Sequence, residues 1–304
     1  MPDRGTSRAT TLGILAILLW SSSVAFIRTL SERLGSVSTI AWAYLLGGVV
    51  SLAAAALTPG GLSRFRRLPR SYLWGCGSLF VVYSTCYCLA VGLAASRLQV
   101  ITVGLVNYLW PSLTLLLGVP LLGHRARWYL VPGMLLASAG MVLATVPQGT
   151  LSVPVLWANV VENAWPYALA LVGAVAWALY SNLARRLGAE DGGVPLFILA
   201  SGLVILPLRF FFPGPGRWDA RVIGELLYLV LFVTLAAYVF WDHAMRKGNI
   251  VLVAALSYFT PLLSTAFSAA YLGVAPGPFV WVACGLLILG AFLCRLAVRE
   301  NGSV

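Results

Sequence analysis

Apolar residues in this chain come in long blocks, each closed by Arg, Lys, Pro or Gly, with no alternation of polar and apolar positions inside them. Ten blocks stand out, at 11–28, 37–57, 73–94, 98–119, 128–146, 165–183, 193–212, 222–241, 250–272 and 276–294. A helix needs about 20 mostly apolar residues to cross a bilayer. Transmembrane strands are roughly half that length and alternate. The pattern therefore predicts an all-α integral membrane protein of about ten transmembrane helices. The first block is too long for a signal-peptide core, so it is read as an uncleaved first span.

The basic residues orient the bundle. With the N-terminus inside, fourteen of the twenty Lys and Arg fall in inner segments, among them Arg4, Arg8, Arg64, Arg66, Arg67, Arg246 and Lys247. The positive-inside rule then places both termini in the cytoplasm, with Arg209, Arg217 and Arg221 as a local exception outside.

The two halves echo each other. Asn107-Tyr108-Leu109-Trp110-Pro111 in the fourth span matches Ser257-Tyr258-Phe259-Thr260-Pro261 in the ninth, and Leu122-Gly123 matches Leu272-Gly273 at the same offset. Trp20 and Arg28 match Trp177 and Arg185, and Leu34-Gly35 matches Leu187-Gly188. Five spans per half is an odd number, so the second half enters from the opposite face. The expectation is two inverted five-helix repeats, 1–150 and 151–304, joined by a linker at 147–164 whose 153–161 stretch forms a short interfacial helix. Inverted repeats recur among secondary transporters.

The Trp20-Ser21-Ser22 start, the paired Tyr-x-x-Pro of spans four and nine, and the Leu-Gly after each resemble the drug/metabolite transporter superfamily. Within it the chain looks most like the bacterial aromatic amino acid exporters, and the resemblance covers nearly the whole chain. It implies a multi-pass protein of the bacterial inner membrane that exports aromatic, and other neutral, amino acids by alternating access. The implied partners are the amino acid and membrane lipid, with no cofactor and no metal. Many members carry an acid after the Leu-Gly. Here those positions are His124 and Val274, so a role for that acid does not carry over.

Composition agrees with a membrane protein. The chain is 60% hydrophobic and 10% charged, against roughly a quarter charged in soluble domains. A net charge of +11 would suit nucleic acid, but the basic residues sit at span ends, where topology requires them. The five cysteines lie inside apolar blocks, and Cys86 and Cys88, two apart on a helix, cannot hold one metal ion. With two histidines, His124 and His243, and no nucleophile set or phosphate loop, an intramembrane enzyme is the weakest alternative. A broader drug or metabolite exporter that also accepts planar cations stays open. A channel is disfavoured, because no charged ring or filter is visible.

An ionisable group within a span is a functional candidate by default. Of the nine acids only Asp242, beside His243, is expected to dip into the membrane, as a gate or as an interfacial cap paired with Arg246 or Lys247. Without a midplane carboxylate, transport is expected to need no proton gradient. Uncharged polar and aromatic residues supply the substrate-site candidates: Trp20, Ser22, Tyr83, Tyr87, Asn107, Tyr108, Trp110, Trp177, Tyr180 and Tyr258. Packing between helices is the competing role for each. Pro111 and Pro261 should break their helices and leave the carbonyls of Asn107 and Ser257 unbonded. Trp42, Tyr72, Trp74, Trp128, Tyr129 and Trp281, near span ends, are expected as interfacial anchors.

Overall fold

The computed structural model describes residues 4–58, 60–145, 153–188, 191–272 and 279–299. Gly273 and Val274 lie outside them, as do residues 147–152 of the expected linker. Among the described residues, eight helical segments are long and apolar enough to cross a bilayer, and two shorter apolar ones, Leu130–Leu143 and Val194–Phe210, bring the crossings to ten. In the first half these are α1 (Arg4–Leu34), α2 (Ser36–Ala56), α3 (Arg70–Gly92), the broken pair α4 (Arg97–Asn107) and α5 (Trp110–Leu122), and α6 (Leu130–Thr145). A helix α7 (Val153–Glu162) bridges the halves, within one residue of the expected stretch. The second half runs α8 (Trp165–Leu187), α9 (Val194–Ile205), then α10 (Ala220–Tyr228) and α11 (Ala237–Lys247), joined by a π-helical segment Leu229–Ala236. The broken pair α12 (Ile250–Leu256) and α13 (Thr260–Leu272) follows, and α14 (Phe279–Ala297) completes the bundle.

Local chemistry sets the ends. Ser96 and Asn249, 153 positions apart in the chain, cap α4 and α12 by accepting from the N–H of Gln99 and Leu252 at 3.1 and 2.8 Å. Such caps satisfy donors that a helix start leaves free. Gly123 ends α5 in the left-handed region, φ 68°, where a side chain would clash. Two-residue strands β1 (Arg125–Ala126) and β2 (Val298–Arg299) pair antiparallel beside it.

Packing is symmetric under exchange of the halves. Helix α3 lies on α8 as α11 lies on α1, and α5 lies on α8 as α13 lies on α1. Helices α2 and α9 pack on each other, as do α6 and α14. These self-paired contacts are made by small residues. A Cβ on Gly202 would meet the Leu45 backbone N at 2.5 Å, and one on Gly290 would meet the Ala137 N at 2.4 Å. Lipid tails give no hydrophobic drive between helices, so close backbone approach is what holds them together. Gly133 and Ala137, four apart on α6, face α14.

Trp74, Trp128 and Trp281 are 78–82% exposed, consistent with anchors. Tyr72 is not one. It is fully buried, with its hydroxyl committed inside the bundle.

The packing predicts an asymmetry between two glycines. Gly202→Ala should lower stability by about 1–3 kcal/mol through overpacking. Gly104→Ala, whose Cβ meets nothing within 4 Å, should raise it by about 0.5–1 kcal/mol. Unfolding of the detergent-solubilised variants reads both, and equal effects would show that α2 and α9 do not meet this closely.

Candidate functional site

A cavity of about 770 Å³ occupies the half of the bundle away from the chain termini. Its walls are α1, α2, α3, the α4–α5 break, the π-helical segment and the first residue of α13. The mouth lies at the last turns of α1 and the start of α2, where Arg28, Ser31, Glu32 and Ser36 line it.

The floor is aromatic. Trp20, Trp110, Trp177 and Tyr238 line it, with Trp241 and Phe80 packed beneath. Ring centroids lie 5.8 Å apart for Trp20–Trp177, 5.2 Å for Trp110–Trp241 and 5.0 Å for Phe80–Tyr238. Tyr83 and Tyr87, one turn apart on α3, stack on one wall at 6.3 Å and 11°. Tyr83 leans on Trp177 at 4.6 Å. Tyr44 and Tyr238 share a hydroxyl hydrogen bond on the opposite wall.

Two polar atoms point to a ligand. Asn107 Oδ1 and Thr260 Oγ1 are buried without a hydrogen-bond partner, and both residues line the cavity. They are 6% and 3% exposed. An unsatisfied buried polar atom costs about 1–3 kcal/mol, which a bound polar group would relieve. Each stands at a helix break. In span four, Leu109 N–H donates to Val106 O, and α5 restarts with Pro111 in its first turn. In span nine, a 3-10 turn Ser257–Phe259 precedes Pro261.

The second break corrects an expectation. The Ser257 carbonyl is not left free, because the Thr260 N–H bonds it. The tightened turn takes up what the proline removes.

Among the described residues that line the cavity, the charged side chains are Arg28 and Glu32, 3.4 Å apart, and these carry no net formal charge.

Below the floor the bundle closes. Asp242, 1% exposed, accepts from Tyr72 Oη at 3.0 Å, Tyr180 Oη at 2.8 Å and Arg246 Nε at 2.7 Å. Tyr72 in turn accepts from the Gly193 N–H at 3.1 Å, and Arg185 Nη1 donates to the Arg246 carbonyl at 2.8 Å. One carboxylate thus ties α11 to α3, α8 and the turn before α9. Closer to the termini, Thr10 Oγ1 accepts from the Asn249 N–H at 2.9 Å. Gly13 sits so tightly on Ala244 and Val253 that a Cβ would approach them to 2.8–2.9 Å.

Seven of the ten candidates line the cavity: Trp20, Tyr83, Tyr87, Asn107, Tyr108, Trp110 and Trp177. Three are placed elsewhere. Ser22 bonds the Leu19 carbonyl and Tyr228, Tyr180 bonds Asp242, and Tyr258 is fully buried against Ser112. Asp242 belongs to the closed end, while His243 is half-buried on the outside of α11.

Sequence reasoning missed Thr260, which the repeat aligns with Trp110, and missed Tyr44 and Tyr238. It also missed Glu225. That acid is 8% exposed inside span eight, so Asp242 is not the only carboxylate there. Arg221 Nε donates to it at 2.7 Å, Tyr271 Oη at 3.1 Å, and Thr29 bonds its second oxygen. Its i, i+4 partner Arg221, mirrored by Asp242 and Arg246, was the available signal. Nearby, Asp219 caps α10. The Val222 N–H and then Arg33, 2.5 Å away, hold its carboxyl below the ordinary range.

The sequence profile of the EamA-like transporter family matches residues 7–146 and again 164–296. The aromatic amino acid exporter YddG of Salmonella typhimurium is 35% identical over 297 residues, covering 97% of this chain and 99% of that protein. The aromatic amino acid exporter YddG of Ancylobacter novellus is 32% identical over 301 residues, with the same coverage. A solved crystal structure superposes with a TM-score of 0.78 at 29% identity, covering 96% of this chain and 98% of that one.

The closed end predicts a coupled defect. Asp242→Ala leaves a nearly buried guanidinium and two tyrosine hydroxyls without their acceptor, and should cost about 3–5 kcal/mol of stability. Asp242→Ala/Arg246→Ala should be less damaging than the two single losses added together. Additive losses in detergent unfolding would mean that the pair is not energetically joined.

Proposed function

The chain belongs to the EamA-like transporter family, and from that premise we propose that it exports aromatic amino acids, and other neutral ones less well, from the bacterial cytoplasm. The observation that carries this reading is the cavity. It pairs an aromatic floor and wall with two unpartnered polar atoms at the helix breaks, and its wall has no net charge. An amino acid zwitterion is the complementary shape of charge. Its ring packs among Trp20, Tyr83, Trp110 and Trp177, and its ammonium and carboxylate meet Asn107, Thr260 and the tyrosine hydroxyls. A planar cation would bring a charge that no unpaired carboxylate on the wall offsets. The relatives named as aromatic amino acid exporters, alike over nearly their full length, support the same substrate class.

Transport proceeds by alternating access. The cavity opens away from the termini, and the greater share of Lys and Arg at the terminal end assigns that end to the cytoplasm. The form described here then faces outward, poised for release. The Asp242 hub, Thr10–Asn249 and the Gly13 contact form the closed inner seal, which must part to admit substrate. The repeats 1–150 and 151–304 supply the moving halves, since exchange of their packing converts one face into the other. Export is facilitative. Asp242 holds an arginine and two hydroxyls and faces the seal, and Glu225 is likewise engaged, so neither stands in the substrate path as a proton carrier.

Flux of labelled amino acids in proteoliposomes tests the reading. Trp110→Ala or Tyr83→Ala should reduce the phenylalanine-to-threonine flux ratio about 2- to 10-fold, because ring contacts are worth about 0.5–1.5 kcal/mol. Asn107→Ala should slow both amino acids alike. Unchanged ratios at equal expression would reduce the floor to packing.

A second measurement addresses the driving force. Substrate should run down its own gradient at the same rate with or without a pH difference across the membrane. Uphill accumulation driven by a pH jump alone would establish proton coupling and end the facilitative reading.

A further inference from the structure

On the outside of the bundle, at its terminal end, a groove of about 570 Å³ runs between α1 and α11. Gly5, Thr6, Arg8 and Leu12 line it from one side, and His243 and Lys247 from the other. No acidic side chain is among the described residues that line it. Arg8 and Lys247 are exposed and form no salt bridge with any described residue. By contrast Arg246, one position from Lys247, turns inward to Asp242.

The apolar surface leading to this groove faces lipid. Arg8, Thr11, Leu15 and Leu18 follow one exposed stripe on α1. Leu15 and Leu18 are 40% and 47% exposed and take no part in the substrate cavity. On α11, Phe240, His243 and Lys247 share one face at i, i+3 and i+7, the first two half-buried and the last exposed. The hydrocarbon-facing track on α1, with the half-buried Phe240 of α11 beside it, therefore converges on two free cations and an imidazole at the level of the headgroups. A molecule with an anionic head and two acyl chains complements both features at once.

We infer that this groove is a specific site for an anionic phospholipid. Arg8 and Lys247 flank its phosphate, His243 hydrogen-bonds it, and the chains lie along Leu15–Leu18 and beside Phe240. The lipid clips α1 to α11 across the inner seal. The inference uses the proposed orientation only to name the leaflet, and its test reads lipid retention without reference to transport.

Native mass spectrometry decides it, on the full chain from micelles doped with phosphatidylglycerol or phosphatidylcholine at equal mole fraction. The wild type should retain phosphatidylglycerol preferentially. Arg8→Ala/Lys247→Ala should weaken that retention roughly thirtyfold, on the order of fivefold per cation, with phosphatidylcholine unaffected. Arg8→Lys/Lys247→Arg should restore it, which separates lost charge from lost fold. Arg66→Ala/Arg67→Ala, an exposed pair at the same end of the bundle, should change nothing. Equal loss in both alanine pairs would show diffuse surface attraction and overturn the site. Displacement of the lipid by equimolar glycerol phosphate would show a small-anion site, and would overturn the lipid assignment as well.

Discussion

In hydrocarbon a backbone N–H or C=O has no water to turn to, so every interruption of a helix must be answered by protein or face a cavity. That constraint arranges this molecule. Spans four and nine are both interrupted, at Tyr108–Leu109 and at Ser257–Phe259, and both breaks are carried to the centre of the bundle. The small residues of α2, α9, α6 and α14 bring the outer helices close enough to shield them. The cavity is then where Asn107 and Thr260, at the breaks, remain unsatisfied until a polar guest arrives.

A second tier follows from charge. Removing an ion pair from water is costly, and the attraction within it repays that cost only when the remaining lone pairs are also engaged. Asp242 meets the condition with two tyrosine hydroxyls besides its arginine, and Glu225 with a threonine and a tyrosine. Each hub gathers helices at one end of span eight. Opening either end means replacing several donors together.

Much of this was legible in the chain. Block length pointed to the ten crossings, and the Tyr-x-x-Pro pair pointed to both breaks, which lie two to four residues before each proline. Uncharged polar and aromatic residues within the spans pointed to seven of the residues that line the cavity, because such a residue amid Leu and Val has few uses other than lining or gluing. What residue type could not separate was those two uses. Tyr180 and Tyr258 are aromatic residues inside spans as Tyr83 and Tyr87 are, but Tyr180 donates to Asp242 and Tyr258 shares a hydroxyl hydrogen bond with Ser112, partners that only the fold brings near. Tyr72 misled for a related reason, since an aromatic near a span end reads as an anchor until its hydroxyl finds a carboxylate 170 positions away. Glu225 escaped because one acid in a twenty-residue apolar block looks like a displaced boundary. The i, i+4 arginine beside it told otherwise.

The π-helical segment Leu229–Ala236 lies between the two hubs of span eight, and Leu229, Val233 and Thr234 on it face the cavity. Hydrogen bonds from i to i+5 make a wider turn than the α-helix, so each residue advances less around the axis. The two halves of this span therefore keep separate azimuths. Were the wide turns to tighten into α-helical ones, the half bearing Asp242 would swivel relative to the half bearing Glu225 and the span would lengthen slightly, with no hinge at either membrane surface. The span is built like a shaft with a rotary joint at the depth of the substrate, so a molecule pressing on the joint from within the cavity bears directly on the direction in which the inner hub points.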